Sequence, residues 1–282
     1  MKSFPECLNC VIRQTIEILQ RLVSSQEKQE QILLAVVRTI NKAELEKLNP
    51  PELTKIAHDI IHRMTGIKDF FAEIKKRENE AALKLYPQLK KIVENSNDPL
   101  QTAARLAIAG NIIDYGAQAT FNIDRAIKES LHNQFGANDL SQLKKDLKKA
   151  KLVLYIGDNT GEIVFDRLLV EQLIKMVEVV YVVKSQPVLN DVLMADAEMT
   201  GMTNLVKVIE SGSDFAGTNP AKGTAEFKRL FKKADIIIAK GQGNFETLDM
   251  ERRNIYFLLK MKCPCLAEAT GFTMGDIILK RS

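Results

Sequence analysis

The sequence predicts an α/β protein: a doubly wound, mostly parallel, Rossmann-like sheet (α/β/α) joined to an N-terminal helical region. Three observations predict it. Residues 1–148 carry apolar residues at spacings of three and four, the helical period. After Lys151 short apolar, β-rich runs appear instead. Most of those runs are separated by stretches long enough for a crossover helix, the pattern of a parallel sheet covered on both faces.

In the first half, helical periodicity covers 11–23, 27–43, 53–64 and 100–113, with no sustained strand signal. Asn49-Pro50-Pro51, Thr65-Gly66 and Asn97-Asp98-Pro99 punctuate it. Asp98 suits an N-cap and Pro99 the first helical position. The Lys- and Glu-rich stretch 68–97 reads as a solvated helix face. In the second half, strands are expected at 152–156, 177–183, 205–209, 236–239 and 264–267, with helices over 163–176, 192–199, 221–234 and 246–260. This gives a helical domain, 1–148, and an α/β domain binding metal and phosphate, 149–282.

The 282 residues are 45% hydrophobic and 27% charged, ordinary for a soluble domain. Net charge is +4, and the 40 basic residues are dispersed, so no nucleic-acid footprint is indicated. No run approaches the roughly 20 apolar residues of a membrane span, and the start lacks the apolar core of a secretory signal. A small-molecule enzyme in the cytoplasm is expected, and nothing specifies an oligomeric state.

In doubly wound sheets ligands bind beyond the carboxyl ends of the strands. Polar residues collect there: Gly157-Asp158-Asn159-Thr160-Gly161-Glu162, Lys184 through Asn190-Asp191, Glu210-Ser211-Gly212-Ser213-Asp214, and Lys240-Gly241-Gln242-Gly243-Asn244. Asp158, Asn159 and Asp191 together offer two carboxylates and an amide, a donor set for a hard divalent ion. Lys240 and Lys184 would add positive charge for a phosphate, and the helix starting near Glu162 would point free N–H groups at the same space. A metal-activated water would be the nucleophile. Each loop alone also reads as an ordinary turn, and Asn190-Asp191 as an N-cap.

These stretches resemble the damage-control phosphatase family of metal-dependent phosphatases, once catalogued as a domain of unknown function. The similarity lies in GDNTGEIVFD (157–166), KSQPVLND (184–191), AKGQGNFETL (239–248) and AARLAIAGNIIDYG (103–116); CLNC (7–10) is similar to the Cys-x-x-Cys of its prokaryotic and archaeal branch. The resemblance implies metal ligands at Asp158, Asn159 and Asp191 and substrate-phosphate contacts at Lys240 and Asn244. It also implies a helical-region motif at Asn111 and Asp114 bordering the cleft. Manganese, cobalt, nickel or magnesium would support hydrolysis of sugar phosphates or damaged phosphometabolites. By spacing, Asn111 and Asp114 share a helix face, either closing over the metal or pairing internally.

Two other readings stand beside this one: a carboxyl methyltransferase using S-adenosylmethionine, and a non-catalytic phosphometabolite-binding protein. Cys7, Cys10, Cys263 and Cys265, the last two expected on the final strand, read as a four-thiolate zinc site or as inert thiols. His58 and His62 share a helix face without a third ligand, and with His132 the only other histidine, a histidine-based hydrolase finds little support.

Overall fold

The computed structural model describes residues 1–110, 127, 131 and 134–282. Three helices open the chain: α1 (Glu6–Leu22), α2 (Gln26–Ile40) and α3 (Pro50–Thr65). Their apolar stripes meet in one cluster that includes Val11, Ile18, Ile32, Val36, Leu53 and Ile61. Asn49 and Glu52 form a reciprocal capping box at the start of α3, with Pro50 in its first turn. Gly66, at φ 75°, ends that helix in the left-handed region. Helices α4 (Ala72–Glu94) and α5 (Pro99–Ala109) follow, α5 capped by the Asp98 side chain as its sequence predicts.

The described strands form one sheet: β1 (Phe135–Asn138), β2 (Leu152–Ile156), β3 (Glu178–Val183), β4 (Lys207–Glu210), β5 (Ile236–Lys240), β6 (Ile255–Lys260) and β7 (Ile277–Arg281). Their order is β1-β7-β6-β5-β2-β3-β4, parallel at every step except β6–β7. The remaining helices are α6 (Leu140–Leu147), α7 (Glu162–Leu173), α8 (Met194–Met199), α9 (Ala225–Lys233), α10 (Gly241–Leu248) and α11 (Pro264–Thr270). Side chains alternate across the sheet. Val153, Tyr155, Val179, Tyr181, Ile236 and Ile238 enter the core shared with α4, α5, α6 and α7. Leu152, Leu154, Val180, Val182 and Ile237 enter the opposite core, under α9, α10 and α11. Burial on both faces is why these strands read as continuous apolar runs.

From β2 the chain winds outward to β3 and β4, then returns to β5 on the other side of β2. The crevice between the carboxyl ends of β2 and β5 is therefore the topological switch point.

Three expectations are corrected. Residues 264–267 begin helix α11 rather than a strand, because Pro264 fits the first turn of a helix and donates nothing to a ladder. The stretch 246–260 splits between α10 and β6, since Ile255–Lys260 pairs with both β5 and β7. Strand β1 lies in the half read as wholly helical; its four residues include Gly136 and alternate between half-buried and exposed, a weak strand signal. Together with α6 it belongs to the sheet layers, as do α4 and α5, whereas the first core cluster draws only on residues up to Phe71.

Candidate active site at the sheet switch point

Strand β2 ends in Gly157, where a Cβ would come within 2.4 Å of the Tyr181 hydroxyl. Its backbone extends the β3 pairing by one bond, Gly157 N–H to the Val182 carbonyl at 3.0 Å. The two strand-end loops are then laced together. Thr160 N–H donates to the Asn190 carbonyl (2.8 Å), Val192 N–H to that of Asp158 (2.9 Å), and Asn159 and Asp191 form an isolated antiparallel bridge. The lacing brings Asp158, Asn159 and Asp191 to one place, as their sequence context predicts.

Asp191 is 2% exposed, and its Oδ2 has no hydrogen-bond partner. The Lys184 ammonium stands 3.5 Å from that oxygen and donates to the Gly217 carbonyl. The Asn159 amide donates to Asp158 Oδ2 at 2.8 Å. From below, the Asp158 carboxylate rests on Gly241, whose φ is 77° and whose Cβ, were there one, would lie 1.9 Å from Oδ2. Burial, and then the charge of Asp191, push the Asp158 carboxyl up to about 7. Burial likewise lifts Asp191 to about 6 against the opposing pull of Lys184. A buried acid crowded against a half-buried one, with an oxygen that no hydrogen bond satisfies, favours an added positive charge. Among the described residues no three His, Cys, Asp or Glu side chains stand at metal-binding spacing. A cation here would take two carboxylates and an amide, with the remaining oxygens from outside the protein. That donor set fits a hard divalent ion.

Beneath this layer lies a second charged one. Lys240 is fully buried, and its ammonium donates to the Ala107 carbonyl (2.8 Å), Asp166 Oδ1 (2.6 Å) and Glu162. Asp166 also accepts from the hydroxyls of Tyr155 (2.7 Å) and Tyr181 (2.8 Å). Burial opposes the charge on Lys240, but Asp166 and Glu162 outweigh it and hold the ammonium firmly protonated. Burial first pushes the Glu162 carboxyl up, with Asp158 and Asp166 adding to it. All three Lys240 donors are engaged by the protein, so the structure places this lysine under the site rather than in it. Asn244 is engaged in the same way: its amide donates to the carbonyls of Lys240 (2.8 Å) and Gly157 (3.2 Å) and accepts from Thr218 (2.8 Å). The start of α7 is also occupied, correcting the expectation of free N–H groups there. Gly161 N–H goes to Asn79 Oδ1 (2.8 Å), Glu162 N–H to Thr160 (2.7 Å) and Ile163 N–H to Asn159 (3.2 Å).

A sequence profile described as the damage-control phosphatase ARMT1-like domain matches residues 3–278. The chain belongs to that family. It is 34% identical over 293 residues to an uncharacterized protein of Methanocaldococcus jannaschii, covering 100% of this chain and 96% of that protein. It is 31% identical over 286 residues to a protein of Pyrococcus horikoshii named a damage-control phosphatase, covering 100% and 99%. The crystal structure of a DUF89 family protein from Pyrococcus horikoshii superposes with a TM-score of 0.93 at 31% identity, covering 100% of this chain and 99% of the other.

Periodicity missed the face that α4 gives to this damage-control phosphatase domain. Much of 68–97 is solvated, but Lys75 and Asn79 are buried. Glu78 accepts from Thr160 Oγ1 (2.6 Å), Asn79 donates to Asp196 (2.9 Å), and Lys75 pairs with Asp69 at 2.5 Å while its charge acts on Asp191. The one available signal is that Lys75, Glu78 and Asn79 recur at helical spacing. Asn111, Asp114 and His132 lie outside the described residues. The cysteines sit elsewhere than expected: Cys263 precedes α11 and Cys265 lies in its first turn, while burial, with a smaller contribution from neighbouring Cys263, raises the Cys7 and Cys265 thiols. All four are free.

Proposed function

We propose that this protein is a metal-dependent phosphatase that hydrolyses small phosphate esters, sugar phosphates or damaged phosphometabolites, in the cytoplasm. The observation that carries the proposal is the convergence of Asp158, Asn159 and Asp191 at the switch point, with Asp191 Oδ2 buried and satisfied by no hydrogen bond. Two relatives carry the name damage-control phosphatase over their full length, which supports the same reaction. Cys7 and Cys10 support placement in the Cys-x-x-Cys branch.

Asp158, Asn159 and Asp191 would hold manganese, cobalt, nickel or magnesium. Such an ion supplies charge neutralisation at the phosphoryl group and a water activated for attack. The protein's own part is positioning. Gly241 lets the Asp158 carboxylate settle against the first turn of α10. Asn159 fixes the orientation of Asp158 through its amide. Lys184 offsets the charge of Asp191, whereas Lys240 and Asn244 hold the floor on which Asp158 rests.

The test is hydrolysis of p-nitrophenyl phosphate and a sugar-phosphate panel with each metal in turn. Turnover is expected with at least one metal, is lost after chelation, and is lost in Asp158→Ala with the fold retained by circular dichroism. A folded Asp158→Ala protein of normal activity would sink the proposal. Saturable phosphate-ester binding without turnover would make the chain a binding protein instead.

A further inference from the structure

A small cavity of about 50 Å³ lies between the helical region and the strand-end loops. His58, Asp59 and His62 of α3 line it, with Phe70 and Phe71 before α4, and Leu189 and Asp214 from the loops after β3 and β4. Two links connect it to the proposed metal site. Leu189 stands two residues before Asp191 in the same loop. Asp69, also in the cavity wall, pairs with Lys75, whose charge reaches Asp191.

Two features of the wall lack an explanation in packing alone. His58 Nε2 is buried without a hydrogen-bond partner, an arrangement that costs free energy unless something fills it. Its ring stands edge-on to Phe70, with centroids 5.9 Å apart. Leu189 has φ 46°, the one described non-glycine residue in the left-handed region. Such strain persists where surrounding structure imposes it, commonly at ligand sites.

We infer that this cavity is the subsite for the alcohol part of the phosphate ester, and that His58 selects for a hydroxyl group placed there. The inference rests on the phosphatase reading. The volume has room for a hydroxymethyl group or a few heavy atoms, since roughly 10–15 Å³ of such space holds one water. The chemistry suits a hydroxyl. Burial keeps the imidazole neutral, with its pKa lowered to about 4, so it can exchange a hydrogen bond with a neutral partner. Lys55 holds both oxygens of Asp59 at 2.8 Å and Asp214 Oδ2 at 3.1 Å, which leaves Asp214 Oδ1 in the wall as an acceptor. His58 is thus a specificity residue, whereas Asp158 and Asp191 belong to the chemistry.

The experiment compares kcat/KM for pentose and hexose phosphates with their monodeoxy analogues, using the metal-loaded full chain, His58→Leu and His58→Gln. Wild type should prefer at least one hydroxylated ester over its deoxy partner by roughly tenfold or more. His58→Leu should erase that preference, mainly through KM, and His58→Gln, which can still hydrogen-bond, should keep part of it. Thermal melts establish that both variants fold. Wild-type turnover of p-nitrophenyl phosphate separates the two claims. If it is absent with every metal, the phosphatase reading falls and the subsite with it. If it is present and His58→Leu leaves the hydroxyl preference intact, or wild type shows none, the subsite alone falls. An unfolded His58→Leu passes the decision to His58→Gln, whose unchanged preference would also overturn the assignment.

Discussion

Replacing Lys240 with Met separates two roles that the sequence does not distinguish. If Lys240 contacts the substrate phosphate, its loss raises KM and leaves the fold intact. The structure gives it a different role. Its ammonium is the counter-charge for Asp166 and Glu162, both at most 1% exposed, and it satisfies the Ala107 carbonyl. Removing one partner from a buried ion pair costs about 3–5 kcal/mol, because the other charge is left uncompensated. The Tyr155 and Tyr181 hydroxyls still support Asp166, but Glu162 keeps only a distant contact with the Asn159 amide at 3.5 Å. The loss therefore falls in that range, a large share of the roughly 5–15 kcal/mol that stabilises a typical domain. Urea unfolding at neutral pH, followed by far-UV circular dichroism, measures it as a lowered midpoint at constant slope. Adding Glu162→Gln removes the stranded carboxyl, so the double variant should lose less than the sum of the single ones. A Lys240→Met protein within about 1 kcal/mol of wild type, defective only in KM, would refute the buried-brace account.

Two further outcomes follow from the same geometry. Gly241→Ala puts a Cβ 1.9 Å from Asp158 Oδ2 at a backbone φ of 77°, so the carboxylate must move by more than an ångström; metal-supported activity should fall on the order of a hundredfold with the fold retained, and near-normal turnover would contradict the placement of Asp158. The metal-free protein should lose stability as pH rises from about 4 to about 7, because folded Asp158 and Asp191, at about 7 and about 6, hold protons that the unfolded chain has released. Thermal melts in chelator should therefore show Asp191→Asn more stable than wild type at pH 8 and no more stable at pH 4, with added metal closing the gap. His58, lowered to about 4, acts in the opposite direction below about 6.5, but it is common to both proteins and cancels in the comparison. A uniformly destabilised Asp191→Asn would count against the charge-crowding account.

Which residues meet at the switch point was legible in the sequence; which way each one faces was less so. Asp158, Asn159 and Asp191 were found because a parallel sheet gathers its strand ends at one edge, whatever the side chains do beyond it. Residues 264–267 read as a strand because a proline-led turn of helix and a short buried strand look alike over four residues, and β1 gives a weak signal because its four residues bury none fully and include Gly136 and Asn138. The burial of Asn79 depends on a contact between α4 and α7, elements far apart in sequence, and no local pattern signals such a contact. Lys240 is different, since its orientation follows from period two. Ile236 and Ile238 face the core covered by α5 and α7, and Lys240 continues their row, which takes its ammonium to the Ala107 carbonyl of α5 and to Glu162 and Asp166 of α7. Asp158 continues the row of Leu154 and Ile156, which face the opposite core, and so emerges beside Gly241 at the start of α10. Two charged residues at adjacent strand ends thus part company by parity alone. One lies in the crevice and the other supports it, and a reading of loops that extends strand alternation by one or two residues would have told them apart.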